Sequence, residues 1–218
     1  MDIPANEDQR LQALQLYKVL DTSAEKSFDD LTRLAANVCE TPISLVSLID
    51  EKRQWFKSRH GLAATETRRE IAFCAHAILS DEVMVVEDAL EDPRFSKNEL
   101  VTGEPGIRFY AGAPLTVGDN LNLGTLCVID TEPKHLSDKQ IETLGLLRDA
   151  VVTQLELKRN VSDLEALERA LCMCAWCHSV EKKDQGEVSW QPLHEYIAEQ
   201  TQVSHGICPS CQKNMQSQ

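Results

Sequence analysis

Two short cysteine pairs, Cys174-Ala-Trp-Cys177 and Cys208-Pro-Ser-Cys211, constrain this chain more than any other feature. Each Cys-x-x-Cys turn presents two thiolates with backbone amides aimed at the sulfurs. Two such turns supply the four ligands of a tetrahedral Zn²⁺. Of the 8 cysteines, Cys39, Cys74 and Cys127 stand alone, and five crowd between Cys172 and Cys211, so the chain changes character near residue 172. The first pair is followed by His178, which also matches a c-type haem attachment. That reading asks for export, an apolar haem pocket and an axial partner, none of which the sequence offers. A dithiol redox pair would leave the second pair unexplained.

The compartment favours metal over disulfide. The N-terminus, MDIPANEDQRLQALQLYKVL, begins acidic and turns into an amphipathic helix, so it lacks the basic-then-apolar plan of a secretory signal. A reducing cytoplasm is the default, where clustered cysteines mean metal more often than disulfides. At 218 residues the chain has room for one ordinary domain and a small appendage. No apolar run approaches the ~18–20 residues of a membrane span. A formal net charge of −13 repels nucleic acid and anionic lipid alike.

Along the chain, helical periodicity at Leu11, Leu14, Leu16 and Val19 is followed by Thr22-Ser23-Ala24-Glu25, which reads as a capping box opening a second helix through Phe28, Leu31, Leu34, Ala35 and Val38. PISLVSLID and RQWFKSRHG read as two antiparallel strands. EIAFCAHAILS suits a short helix and VMVVEDA a strand. GIRFYAGAPLTV and LNLGTLCVID read as strands joined at Gly118-Asp119-Asn120. From Ser137, an N-cap candidate, a long helix runs without Gly or Pro from Leu146 to about Ala170. Ala150, Gln154, Leu157, Val161, Leu164, Glu168 and Leu171 recur at spacings of four and three, as in the seam of a parallel dimer coil. Packing of the same helix on its own sheet is the competing reading of its first half.

This order of segments resembles the GAF family of small-molecule sensor domains, above all its bacterial branch. The resemblance rests on PISLVSLID, RQWFKSRHGL, FCAHAILSDEVMVVEDALEDPRF, IRFYAGAPL and LGTLCVID, with helices before and after. It implies an α+β fold: a central antiparallel sheet of five to six strands, lead-in and exit helices on one face, and a ligand pocket on the other. The expected organisation is a sensor domain over residues 1–160, a helical connector over 161–172 and a zinc-ribbon-like module over 173–218. Such domains commonly dimerise through their helices.

The resemblance places seven residues around a pocket for an unknown small molecule: Cys74, His76, Asp88, Arg94, Phe95, Tyr110 and Cys127. Phe109 and Tyr110 alternate on a strand, so one of them faces the pocket. Arg94 could orient an anion and Asp88 an amine or hydroxyl. Each has a plainer reading, an Asp92–Arg94 loop tie or small cysteines filling a core. Some GAF-like enzymes reduce free methionine sulfoxide with pocket thiols, and Cys74 and Cys127 would be the candidates here.

In the tail, Cys174, Cys177, Cys208 and Cys211 are the expected zinc ligands, with Cys172, His178 and His205 spare. Closed four-thiolate coordination leaves no open position for catalysis, so the zinc is expected to be structural. GEVSW reads as a strand and QPLHEYIAEQT as a helix, and Trp176, Trp190, Leu193, Tyr196 and Ile197 as a miniature core against the metal. With four basic residues (Arg169, Lys182, Lys183, Lys213) against eight acidic ones from residue 161 onward, protein contact is favoured over DNA binding. The expectation is a cytoplasmic, non-enzymatic signalling protein, free of nucleic acid and membrane. It would sense a small molecule and act on a signalling partner. A thiol enzyme and a redox or metal sensor are the alternatives.

Overall fold

The computed structural model describes residues 2–168, 174, 176–184 and 187–200. The chain divides into two units, residues 1–163 and 164–218. The first begins with helices α1 (Glu7–Leu16) and α2 (Lys26–Cys39). α2 buries Phe28, Thr32, Ala35, Ala36 and Cys39, one stripe at helical spacing. Then come the hairpin β1 (Ile43–Ile49) and β2 (Arg53–His60), a short strand β3 (Glu66–Arg68), and helix α3 (Phe73–Ala77). Strand β4 (Met84–Val86), helix α4 (Glu99–Thr102), strands β5 (Phe109–Val117) and β6 (Leu121–Asp130) and the exit helix α5 (Asp138–Glu168), which runs past residue 163, follow.

The six strands form one antiparallel sheet in the order β3-β2-β1-β6-β5-β4. β1, β5 and β6 are buried on both faces and carry near-continuous apolar runs. One face holds Val46, Leu48, Trp55, Phe109, Ala111 and Leu126 against the lead-in and exit helices. The other holds Leu45, Ile49, Phe56, Tyr110 and Cys127 under α3 and the loops. The β5–β6 turn places Gly118 and Asn120 at positive φ (49° and 58°), as the turn signal requires.

The first half of α5 follows the sheet-packing reading. Leu144, Leu147, Val151 and Leu155 pack on the sheet, whereas Leu157, Val161 and Leu164 are 52, 53 and 58% exposed. Its start carries a reciprocal cap: the Ser137 backbone N–H donates to Gln140 Oε1 at 3.0 Å, and the Gln140 N–H to Ser137 Oγ at 3.4 Å. The capping box expected at Thr22–Glu25 is not formed. Glu25 is the residue before α2 and makes no side-chain cap. Thr22 Oγ1 donates to the Val19 carbonyl (2.7 Å), and the Glu25 carboxylate is drawn instead to two lysines. Full charges outcompete a neutral amide for that carboxylate.

The second unit contains an antiparallel ribbon of β7 (Ser179–Asp184) and β8 (Glu187–Pro192), then helix α6 (Leu193–Gln200). β8 and α6 follow the sequence reading; β7 was not anticipated. The expected miniature core is corrected. Val180 is buried, but Trp176 is 95% exposed, Trp190 52% and Ile197 38%. A two-stranded ribbon and one short helix offer too little surface to cover two indoles.

Candidate ligand pocket

β5 and β6 bring the thiols together. Gly112 opposes Cys127 in the ladder, and Tyr110, two residues from Gly112 on the same face, lays its ring across that glycine. A Cβ at Gly112 would stand 2.1 Å from the Tyr110 hydroxyl, so only glycine leaves the ring its place. α3 lowers Cys74 onto this patch. Its Sγ lies 3.7 Å from Cys127 Sγ and accepts from Tyr110 Oη at 3.3 Å, and all three side chains are buried. Ser47 and Thr125 hydroxyls, 3.2 Å apart, complete a polar island in an apolar layer.

The two thiols differ. Burial raises the Cys74 thiol, but hydrogen bonds from Cys127, Ser47, Thr125 and Tyr110 outweigh it and hold Cys74 below the ordinary value. Cys127, bonded to Cys74 and buried beside it, is pushed well up. Burial, with the neighbouring sulfurs, likewise drives the Tyr110 phenol up, so it remains a donor.

Above the island Phe73 stacks on Phe95 at 4.0 Å and tilts against Tyr110 at 5.3 Å; His76 meets the Phe95 edge at 4.9 Å. Burial, then the Arg94 charge, lowers the His76 pKa. Arg94 lies over Phe95 at 5.0 Å and is tied to Asp92 at 2.6 Å. Asp88 pairs with Arg108 at 2.5 Å. Of the seven residues read from sequence, Cys74, His76, Phe95, Tyr110 and Cys127 therefore form one plug, Arg94 covers it, and Asp88 sits in a separate ion pair.

Beside this plug lies a cavity of about 320 Å³ that none of those seven lines. Its apolar wall is Ile43, Phe56, Leu62, Leu100, Ile107 and Ile129, and Ile43, Phe56 and Ile129 belong to the same apolar cluster as Cys74, Phe95 and Tyr110. Gln54 and Thr67, opposed across the β2–β3 ladder, form its polar wall. Among the described residues five buried side-chain polar atoms have no hydrogen-bond partner, and two of them are Gln54 Oε1 and Thr67 Oγ1. Such orphans are costly to bury. Among the described residues Glu104 is the one ionisable lining residue. A larger hollow, about 580 Å³, follows the edge of β2 and is walled by Asp21, Asp29, Arg33 and Lys57, a charged groove unlike a small-molecule cavity.

β2 connects the cavity to the opposite layer. In the β1–β2 ladder Ser47 faces Phe56 and Val46 faces Ser58, so Lys57 is the extra residue of a bulge. Phe56 lines the cavity while Lys57 turns to the helices, where its fully buried ammonium donates to Thr22 Oγ1 (2.8 Å), the Ser23 carbonyl (2.8 Å) and Glu25 Oε1 (2.5 Å). The same Glu25 oxygen accepts from Lys158 of α5 at 2.6 Å. Burial would raise the Glu25 carboxyl, but Lys158 and Lys57 hold it low.

In the second unit the Cys174–Cys177 turn is closed by His178 N–H donating to the Cys174 carbonyl (2.9 Å) with His178 at φ 57°, and Cys177 Sγ lies 3.4 Å from Ser179 Oγ. Both thiols are free and neither is buried, a donor pair that suits half of a Zn²⁺ site. Cys172, His205, Cys208 and Cys211 lie outside the described residues. Among the described residues no group of three or more His, Cys, Asp or Glu side chains is placed to hold a metal ion.

A family model described as GAF domain matches residues 23–155. The chain belongs to the GAF domain family. It is 39% identical over 163 residues to a cyclic di-GMP phosphodiesterase of Pseudomonas aeruginosa, covering 74% of this chain but only 28% of that protein. The same GAF architecture is seen in the GAF domain of an Acinetobacter phosphoenolpyruvate-protein phosphotransferase (16% identity, TM-score 0.52, 73% of this chain and 98% of that one). It recurs in a free methionine-R-sulfoxide reductase from Neisseria meningitidis bound to its substrate (15% identity, TM-score 0.51, 74% and 98%). No helix among the described residues is long and apolar enough to cross a membrane.

Proposed function

We propose that this protein is a signalling module in which a small molecule, received on the α3–α4 face of the GAF sheet, changes how the exit helix α5 is held. The observation that carries this reading is the β2 bulge. It puts Phe56 in the cavity wall and the next residue, Lys57, in an ion cluster through Glu25 to Lys158 of α5. A ligand that binds one position of β2 better than another biases the grip on α5, and unequal affinity for two arrangements is all the switch requires. The exposed Leu157, Val161 and Leu164 then offer α5 to a second copy of the chain.

Zinc held by Cys174, Cys177, Cys208 and Cys211 would fix the fold of the tail and give α5 a rigid body to carry. The output is a contact with a signalling partner rather than chemistry on the chain itself. The Pseudomonas relative supports this setting, since its matched segment is under a third of a phosphodiesterase. Native mass spectrometry of protein purified from its own host tests the proposal: the expected species is a dimer with one zinc and one small molecule per chain. A bare monomeric polypeptide would remove every part of it.

One observation favours a second reading. Two thiols 3.7 Å apart, one held low beside a phenol donor, could reduce a sulfoxide to a sulfide, leaving a Cys74–Cys127 disulfide and one water. Phe73 and Phe95 seal both sulfurs in, so α3 would have to lift first. Turnover of free methionine sulfoxide that vanishes in Cys74→Ser and in Cys127→Ser would establish this reading, and activity retained in either would end it.

A further inference from the structure

We infer that the cavity beside the thiol plug takes a compact, largely apolar molecule that carries an N–H donor and is neutral or singly positive, and that it rejects phosphate-bearing ligands. This rests on the sensing role proposed above and names the chemistry of the signal.

Size sets the first limit. A buried apolar cavity of ~150 Å³ admits one benzene ring. The volume here, about 320 Å³, is roughly twice that, room for about a dozen non-hydrogen atoms. Phe56 and the aliphatic wall favour a flat or aromatic body.

Polarity sets the second. Gln54 and Thr67 are cross-strand neighbours whose side chains share one face of the ladder, and Gln54 Oε1 and Thr67 Oγ1 both lack a partner. Both atoms can accept, and an N–H entering between them relieves two desolvated oxygens at once. Thr67 can also donate its hydroxyl proton, but Gln54 Oε1 can only accept, so a ligand without a donor leaves that oxygen unpaired.

Charge sets the third. Phosphate recognition uses Arg or Lys forks or a free helix N-terminus. Among the described residues no Lys or Arg lines the cavity, and its one ionisable residue is Glu104. Arg68, next to Thr67 in sequence, is held by Glu70 and Glu99 at 2.6 Å each. The first turn of α4 carries Glu99, and the Leu100 amide is taken by the Asn98 side chain. An anion would meet no cationic side chain among the described lining residues and would face the Glu104 carboxylate, whereas an ammonium would pair with Glu104.

Three probes that share the indole N–H isolate the charge term: tryptamine, indole and indole-3-acetate, titrated into the full chain by calorimetry at low salt. Tryptamine should bind tightest, indole next, and indole-3-acetate three- to tenfold more weakly than tryptamine, a gap of the order that partly screened charge pairs produce. The gap should shrink at high salt and in Glu104→Gln. Gln54→Leu combined with Thr67→Val should weaken all three roughly fivefold or more. If that double variant does not fold, Glu104→Gln, at an exposed position, decides alone. Indole-3-acetate binding as well as tryptamine, an unchanged gap in Glu104→Gln, or no probe binding at millimolar concentration would overturn the inference. A phosphate-bearing molecule retained from the host would also overturn it while leaving the sensing role intact. Probes that bind in the expected order without altering α5 would do the reverse.

Discussion

Glu7 shows how a single residue couples the lead-in helix to the sheet. Its carboxylate takes two bonds from Arg10 (2.8 and 2.7 Å) and one from Arg69 (2.5 Å), while Arg10 also donates to the Ile49 carbonyl at 2.6 Å. Burial alone would raise the Glu7 pKa, but the two guanidinium groups win and hold it at about 2. Because the folded value lies below the unfolded one of ~4.3, this stabilisation is complete above that pH and is lost as pH falls toward 2. Glu7→Ala leaves the fully buried Arg10 with the Ile49 carbonyl but no Glu7 carboxylate and should cost about 3–5 kcal/mol at neutral pH. It should also flatten the acid limb of a urea-unfolding series between about pH 4.5 and 2. An acid limb unchanged by the substitution would mean that other carboxylates set it. None of this was legible in the sequence: Glu7 and Arg10 read only as the polar face of a helix, and Arg69 is 62 residues away.

At the scale of elements, legibility followed period and length. β1, β5, β6 and α5 were readable because long apolar runs and a sustained helical stripe have few alternative structures. Three-residue β3 was not, and with it Thr67 escaped notice. Gln54 left a signal that could have been used, a carboxamide two residues from Phe56 in RQWFKSRH and so on the same, apolar face. The bulge at Lys57 has no such signature. It becomes visible only when the β1 and β2 registers are compared, and it is also why Glu25 serves a lysine cluster instead of capping α2. The apolar stripe at the end of α5 is the element that most needs a partner. Replacing Leu157, Val161 and Leu164 together by Glu should turn a dimer into a monomer in sedimentation velocity, without loss of the unit 1 fold by circular dichroism. A wild-type chain that sediments as a monomer at high micromolar concentration would contradict this role for the stripe.

For the molecule as a whole, the sequence located the GAF fold but not the cavity. Cys74, Tyr110 and Cys127 do meet, yet they fill space, and the open volume lies beside them under α4. Sequence marks chemically distinctive residues; a cavity is a shortage of atoms, which no residue type announces. The account stands on the link from that cavity through Lys57 and Glu25 to α5. Paired spin labels at the exposed positions Ser27 and Asn160, carried on unnatural amino acids so that the native cysteines remain, bracket that link. Stripping the molecule that co-purifies from the host and restoring it to saturation should move the label distance by about 1–2 Å. Lys158→Met should bind that molecule within about threefold of wild type and lose the shift. An identical distance distribution in the stripped and saturated wild-type protein would contradict the account.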